Sequence, residues 1–267
     1  MHENFIASVN GKRTSQISIY DHGFMYGDAV FDTFRVFGGR PYLAREHLER
    51  LKASAAAVGI QLPPSPSELL SQAEKLWQEI GAKDVFVRII VSRGSAMNGI
   101  LQPETPTIVV QVSERKFEPL KKTSASISIA PKYSLDGFGR GIKGTNYGLA
   151  AQELYLAKQR GFSEIIFRNE HGNVSEGTTS NVFAVFDDRV ITPPLSAGAL
   201  PGITRAIIIR KFGILEANIS TEEIQEADEV FLSGTANFIT CVERIDHREF
   251  EHFETAKRVF DFLEQLK

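Results

Sequence analysis

The chain has 267 residues, 42% of them hydrophobic and 24% charged, which suits one large folded domain or two modest ones. A net charge of −3 argues against a general polyanion-binding role, so no nucleic-acid partner is expected, and a single cysteine, Cys241, excludes an internal disulfide. No apolar run approaches the roughly 20 residues that cross a bilayer, the N-terminus has no signal-peptide pattern, and the six histidines show no metal-ligand spacing. The expectation is a cytoplasmic protein with no membrane partner and no metal site.

In chain order, Phe5 to Ile19 predicts a hairpin turning at Asn10-Gly11, and Asp21 to Asp28 a glycine-bearing loop that includes Tyr26. Ala29 to Phe37 follows as a strand, with Phe31, Thr33 and Arg35 on one face and Val30, Asp32, Phe34 and Val36 on the other. An arginine among aromatics can line a pocket or sit on a solvated face, and the strand pattern alone does not choose. Leu48, Leu51, Ala55 and Val58 recur at helical spacing up to Gly59, with Arg50 beside the apolar stripe, where the ordinary reading is a surface arginine. A second helix is expected from Ser67 to Ile80. The strand Val85 to Ser92 places Arg88 among apolar residues, a costly position unless the charge meets a partner. Thr107 to Val112 is another strand, and the charged run around Pro119 is the best candidate for a domain linker.

Beyond it Ala125 to Ala130 alternates like a strand. The run Gly137 to Gly141 fits neither a dinucleotide fingerprint nor a P-loop, because the third glycine is missing and Lys143 is followed by Gly144. Tyr147 to Ala157 is helical, Ser163 to Arg168 a strand, and Glu176 falls in a polar loop. Asn181 to Phe186 and Arg189 to Thr192 form a hairpin across Asp187-Asp188. Ile203 to Phe212 is a helix closed by Gly213, followed by strands at Ile214 to Ile219 and Asp228 to Leu232. A last helix carries Phe253, Ala256, Phe260 and Leu263 on one face.

Three islands combine an active side chain with glycines and hydroxyls: Gly141-Ile142-Lys143-Gly144-Thr145-Asn146-Tyr147, Val174-Ser175-Glu176-Gly177-Thr178-Thr179-Ser180-Asn181-Val182-Phe183, and Leu200-Pro201-Gly202-Ile203-Thr204-Arg205. An amine, a carboxylate and a helix N-terminus suit pyridoxal 5′-phosphate, which needs a Schiff-base partner, an acid for its ring nitrogen and an anion site. In order and spacing the islands closely resemble the class IV aminotransferases of fold type IV, the family of branched-chain and D-amino acid aminotransferases and aminodeoxychorismate lyase. That resemblance implies a two-domain α+β fold, with a smaller N-terminal α/β domain (1–113), a linker (114–124) and a larger cofactor domain (125–267) built around a β-barrel-like sheet. It implies pyridoxal 5′-phosphate on Lys143 as the internal aldimine, with Lys143 moving the proton between the substrate α-carbon and the cofactor.

By the same resemblance, Glu176 meets the ring nitrogen, Tyr147 the phenolic oxygen and Leu200 one ring face. Ile203, Thr204, Thr235 and Arg50 hold the phosphate; Arg50 ends the family-like string Arg45-Glu46-His47-Leu48-Glu49-Arg50. Tyr26, Phe31, Arg35, Arg88 and Ala236 are the expected substrate-binding residues. Lys143 is expected to face a cleft drawing on both domains, in a homodimer. The expected reaction is amino transfer from an amino acid or amine to a 2-oxo acid, which Ser233-Gly234-Thr235-Ala236 and Asn146-Tyr147 favour. The alternative is the lyase that eliminates pyruvate from 4-amino-4-deoxychorismate, favoured by Asp21-His22-Gly23-Phe24-Met25-Tyr26-Gly27 and Val91-Ser92-Arg93-Gly94-Ser95. A binding protein that had lost catalysis would most simply lack Lys143 or Glu176, and both are present.

Overall fold

The computed structural model describes residues 5–62, 64–97, 105–128 and 141–267. They fall into two compact units, Met1–Lys116 with Ile142–Asn146 and Phe117–Gly141 with Tyr147–Lys267. The glycine-rich run Gly137 to Arg140 and the last two residues of the strand expected at Ala125 to Ala130 lie outside the described residues.

The first unit is built on an antiparallel sheet of β1 (Phe5–Val9), β2 (Lys12–Arg13), β3 (Ala29–Phe37), β4 (Arg40–Tyr42), β5 (Val85–Ser92) and β6 (Thr107–Glu114). Its spatial order is β2-β1-β6-β5-β3-β4, so β3 and β5 lie inside the sheet. Asn10 and Gly11, at φ 49° and 75°, make the two-residue turn that the sequence predicts. The hairpin is shorter than expected. Past Arg13, the hydroxyls of Thr14 and Ser18 accept from the N–H groups of Gln16 and Tyr20, and such local bonds compete with a strand ladder. The expected loop at Asp21–Asp28 contains a short helix, α1 (His22–Tyr26). Asp21 caps it through the Gly23 N–H, and left-handed Gly27 ends it.

Helices α2 (Ala44–Ala57) and α3 (Pro66–Ile80) pack against β3 and β6 and against each other. Leu48, Leu51 and Ala55 of α2 and Leu69, Ala73 and Leu76 of α3 are buried apolar stripes. One polar network also ties α2 to the sheet. Asp32 of β3, 2% exposed, accepts from His47 Nδ1 at 2.8 Å, from Arg50 Nε at 2.7 Å and from Arg50 Nη2 at 2.9 Å. Burial alone would raise the Asp32 pKa, but the hydrogen bonds and charge of His47 and Arg50 outweigh it and hold it at about 2. Burial pushes His47 down, against the pull of Asp32, so His47 is neutral and donates its Nδ1–H.

Arg35, expected to bind substrate, is fully buried. Nη1 and Nη2 donate to the carbonyls of Arg115 and Lys116 at 2.9 and 3.1 Å, beside the rings of Phe37 and Phe86. Burial, with Arg115 nearby, lowers its pKa to about 10, still charged at neutral pH. It pins the chain as it leaves β6, inside the segment read as a linker.

The segment carrying Lys143 belongs to this first unit and not to the second, where residues 125–267 were expected to lie together. The reason is main-chain bonding. Phe31 N–H donates to Lys143 O at 2.9 Å, Thr145 N–H to Ala29 O at 3.0 Å, and Gly144 bridges Val30.

The second unit holds β7 (Lys121–Ile127), α4 (Gly148–Gln159), β8 (Glu164–Arg168), β9 (Val174–Gly177), β10 (Asn181–Phe186), β11 (Arg189–Thr192), α5 (Ile203–Phe212), β12 (Leu215–Glu216), β13 (Glu229–Gly234), β14 (Phe238–Ile245), β15 (Arg248–Glu249) and α6 (Glu254–Glu264). Strands β10, β13, β14, β7, β8 and β9 pair in turn, and β9 pairs back to β10 through Glu176 and Asn181. This closes a six-stranded barrel. Every strand of the ring contributes to one buried cluster, which includes Ala125, Ile166, Val174, Val182, Leu232 and Val242. Glu176 thus lies in a strand at the seam, not in the expected loop. Strand β14 lies where the sequence reading places no element, and the strand expected from Ile214 to Ile219 is only Leu215–Glu216.

Two outcomes test these buried charges. Arg35→Met removes two charge-assisted bonds to main-chain carbonyls and lowers unfolding stability by about 2–3 kcal/mol in denaturant titration; a change confined to KM would return Arg35 to substrate binding. Because the Asp32 pKa is lowered on folding, its contribution of roughly 2–3 kcal/mol is present above about pH 4 and lost as pH falls through about 2. In acid unfolding, Asp32→Asn is therefore less stable at neutral pH and flatter than the wild type between pH 4 and 2.

Candidate active site

In the first unit, strand β3 organises four of the expected residues. The Lys143 backbone lies alongside it through the bonds just described, and Lys143 Nζ sits 4.7 Å from the centroid of the Phe31 ring. Arg88 reaches the same ring from the neighbouring strand, its guanidinium carbon 5.1 Å away. The residue is exposed, so the cost anticipated for a buried strand charge does not arise. One position along β3, on the other face, Asp32 holds Arg50, whose side chain is 14% exposed. Arg50 is therefore neither an ordinary surface arginine nor fully enclosed. Tyr26 ends α1 with its ring edge-on to buried His22, and the residue is 47% exposed.

In the second unit, the seam of the barrel orients Glu176. Oε2 accepts from Leu200 N–H at 2.8 Å and from Asn181 Nδ2 at 3.4 Å, and Asn181 Nδ2 also donates to Leu200 O at 2.9 Å. The same asparagine explains Gly202. A Cβ there would lie 2.1 Å from Asn181 Oδ1 and 3.3 Å from Arg205 Cβ, so only glycine fits. Gly202 is the N-cap of α5, which has no side-chain cap and no acidic residue in its first turn. The N–H groups of Ile203 and Thr204 thus open a ten-residue helix at its positive end, a suitable place for an anion.

The turn after Glu176 is fixed from below. Glu164 accepts from the Thr178 hydroxyl at 2.6 Å and N–H at 3.1 Å, while burial raises its pKa against those donors. Gly177 N–H closes the turn onto Ser180 O at 2.7 Å. Gly234, just before Thr235 and Ala236, passes close to Thr179 and Ser180; a Cβ on it would be 3.4 Å from Thr179 O. Tyr147 occupies the N-cap of α4. Among the described residues no cluster could hold a metal ion, and no helix is long and apolar enough to cross a membrane.

Sequence reasoning missed Asp32, His47 and Asn181 as supports of the site. Asn181 stood inside a recognised island, but its two-way bonding to Glu176 and Leu200 has no local signature. Asp32 was only a polar residue on an apolar strand face, and its partners lie 15 and 18 positions away.

Comparison with known proteins agrees with this geometry. A profile of the family described as Amino-transferase class IV matches residues 29–245. The aminodeoxychorismate lyase of Bacillus subtilis is 32% identical, over 85% of this chain and 82% of that protein. The branched-chain-amino-acid aminotransferase of Salmonella typhimurium is 30% identical, over 87% of this chain and 81% of that protein. Among solved structures, a branched-chain aminotransferase from Thermoproteus uzoniensis with norvaline superposes with a TM-score of 0.88 at 26% identity, covering 97% of this chain and 93% of that one. With its closed barrel, its mixed two-unit α+β architecture and a match over most of its length, the chain belongs to the class IV aminotransferase family and has the fold type IV architecture.

Proposed function

We propose that this enzyme binds pyridoxal 5′-phosphate and transfers an amino group from an amino acid or amine to a 2-oxo acid, with Lys143 as the catalytic amine. The observation that carries the reading is the placement of Lys143, whose backbone is laced to β3 and whose amine lies on Phe31. The donor set fits the cofactor: a fixed amine, a carboxylate oriented by a main-chain N–H, and a helix N-terminus with no side-chain cap and no acidic residue in its first turn.

When bound, pyridoxal 5′-phosphate supplies an aldehyde that condenses with primary amines and a ring that accepts the electron pair left on the substrate α-carbon. Lys143 Nζ would be the primary amine that holds the cofactor through its aldehyde, and as a free amine it would be placed to carry the proton of the substrate α-carbon. Glu176 holds its carboxylate at the ring nitrogen and keeps a proton there. The Tyr147 hydroxyl bonds the phenolic oxygen, and Leu200 packs against a ring face. Ile203 and Thr204 N–H groups, the Thr204 and Thr235 hydroxyls and Arg50 bind the phosphate. Arg88, beside Phe31, binds the substrate carboxylate, and Tyr26, Phe31 and Ala236 shape the rest of the substrate site. Arg35 is left out of this proposal, since it is fully buried and donates to the main-chain carbonyls of Arg115 and Lys116. The enzyme is proposed to act as a cytoplasmic homodimer, which sedimentation velocity tests for the assembly.

A second reading, elimination of pyruvate from 4-amino-4-deoxychorismate, is supported by the 32% identity to a lyase. One experiment separates the two. Cofactor-loaded enzyme is mixed with L- and D-amino acids, R-amines and 4-amino-4-deoxychorismate while visible absorbance and pyruvate are followed. Loss of the visible band with an amino donor, restored by a 2-oxo acid, is expected; pyruvate released from the chorismate derivative alone makes the enzyme a lyase. Lys143→Ala should lose the lysine-dependent band and all turnover. Glu176→Gln should retain cofactor but lose on the order of 10²-fold in kcat, as when one preorganised electrostatic contact is removed.

A further inference from the structure

We infer that Asp32, itself held by His47, is a positioning residue that aims the Arg50 guanidinium at the anionic end of the cofactor. The inference rests on the assignment of Arg50 to the cofactor phosphate. Three features of the first unit support it. Asp32 engages Arg50 side-on, through Nε at 2.7 Å and Nη2 at 2.9 Å, which fixes the guanidinium plane and turns its opposite edge away from the carboxylate. The anchor is buried while the cation reaches outward: the side chains are 1% and 14% exposed. And β3 carries Asp32 next to Phe31, the residue whose backbone and ring both meet Lys143, so one strand sets the spacing of the amine and the arginine.

A buried ion pair is a poor way to gain stability, because desolvation offsets the attraction, whereas an apolar residue would pack α2 on β3 as well. What the pair does supply is direction. An arginine at this point without an anchor has several rotatable bonds and would turn toward solvent. His47 completes the anchor. Burial keeps its imidazole neutral, so its Nδ1–H steadies Asp32 at 2.8 Å without taking over the negative charge that holds Arg50.

Positioning and simple charge balance make opposite predictions. Were charge alone at work, removing the carboxylate would leave Arg50 uncompensated and tighten phosphate binding. If Asp32 aims Arg50, binding weakens. The test titrates the full-length, cofactor-free chain with pyridoxal 5′-phosphate and, separately, with pyridoxal, which lacks the phosphate. The ratio of the two Kd values reports the phosphate contact by itself.

Asp32→Asn is expected to shrink that ratio about tenfold, the loss of a charge-assisted contact, with pyridoxal affinity unchanged. His47→Gln, which leaves both charges in place, should shrink it about threefold. An unchanged or tighter affinity of Asp32→Asn for pyridoxal 5′-phosphate overturns the inference, and so does an equal loss for both ligands, which marks a purely structural role. Arg50→Ala distinguishes the underlying assignment: an unchanged ratio there removes Arg50 from the phosphate and the inference with it. A collapsed ratio in Arg50→Ala beside an unchanged one in Asp32→Asn overturns the role of Asp32 alone. Should Asp32→Asn fail to fold, an unchanged ratio in His47→Gln overturns the inference.

Discussion

The main-chain bonds between β3 and the segment around Lys143 are the constraint on which the chemistry depends. A lysine on a loose loop would carry its amine through many rotamers, and reaction geometry tolerates little of that freedom. Here Phe31 N–H, Ala29 O and the Val30–Gly144 bridge fix the backbone on an interior strand of a six-stranded sheet. Only the side chain remains to be placed, and Phe31 supplies an aromatic face for it. The same strand reaches Arg50 through Asp32, so the candidate catalytic amine and the candidate phosphate arginine share one rigid support.

The second unit solves the matching problem by closure. A barrel has no free edge, and the pair that completes this one, Glu176 with Asn181, includes the candidate acid. Ring closure therefore fixes where that carboxylate sits, and Leu200 N–H fixes how it is turned. Asn181 then leaves room only for glycine at position 202, where the chain enters α5. Seam, carboxylate and helix N-terminus form one connected piece of structure.

Charges buried in this protein are each answered in a different way. Arg35 spends its donors on two main-chain carbonyls, Arg205 on Pro193 O and the Glu216 carboxylate, Glu164 accepts from Thr178, and Asp32 takes both a histidine and an arginine. Arg35 and Arg205 both direct guanidinium N–H groups at main-chain carbonyls of their own unit. Asp32 differs in holding a partner, Arg50, from within a buried strand while that partner's side chain is 14% exposed. Fold by itself does not separate transaminase from lyase, since both reactions are run on this architecture.

Sequence alone determined those features that neighbouring residues encode. Strands Ala29–Phe37 and Val85–Ser92, the Asn181–Thr192 hairpin and helix Ile203–Phe212 have the limits read from periodicity and turn residues, because those signals are local. The ordered islands around Lys143, Glu176 and Leu200 likewise sufficed to identify the family. Tertiary structure decided what depends on residues far apart in the chain. It moved the Lys143 segment into the first unit, made Glu176 part of a barrel strand, paired β14 into the ring, buried Arg35 against the carbonyls of Arg115 and Lys116 and joined Asp32 to His47 and Arg50. Each of these turns on a hydrogen-bond partner many positions away, and a periodicity along the chain carries no record of which partner a donor will meet once the chain has closed.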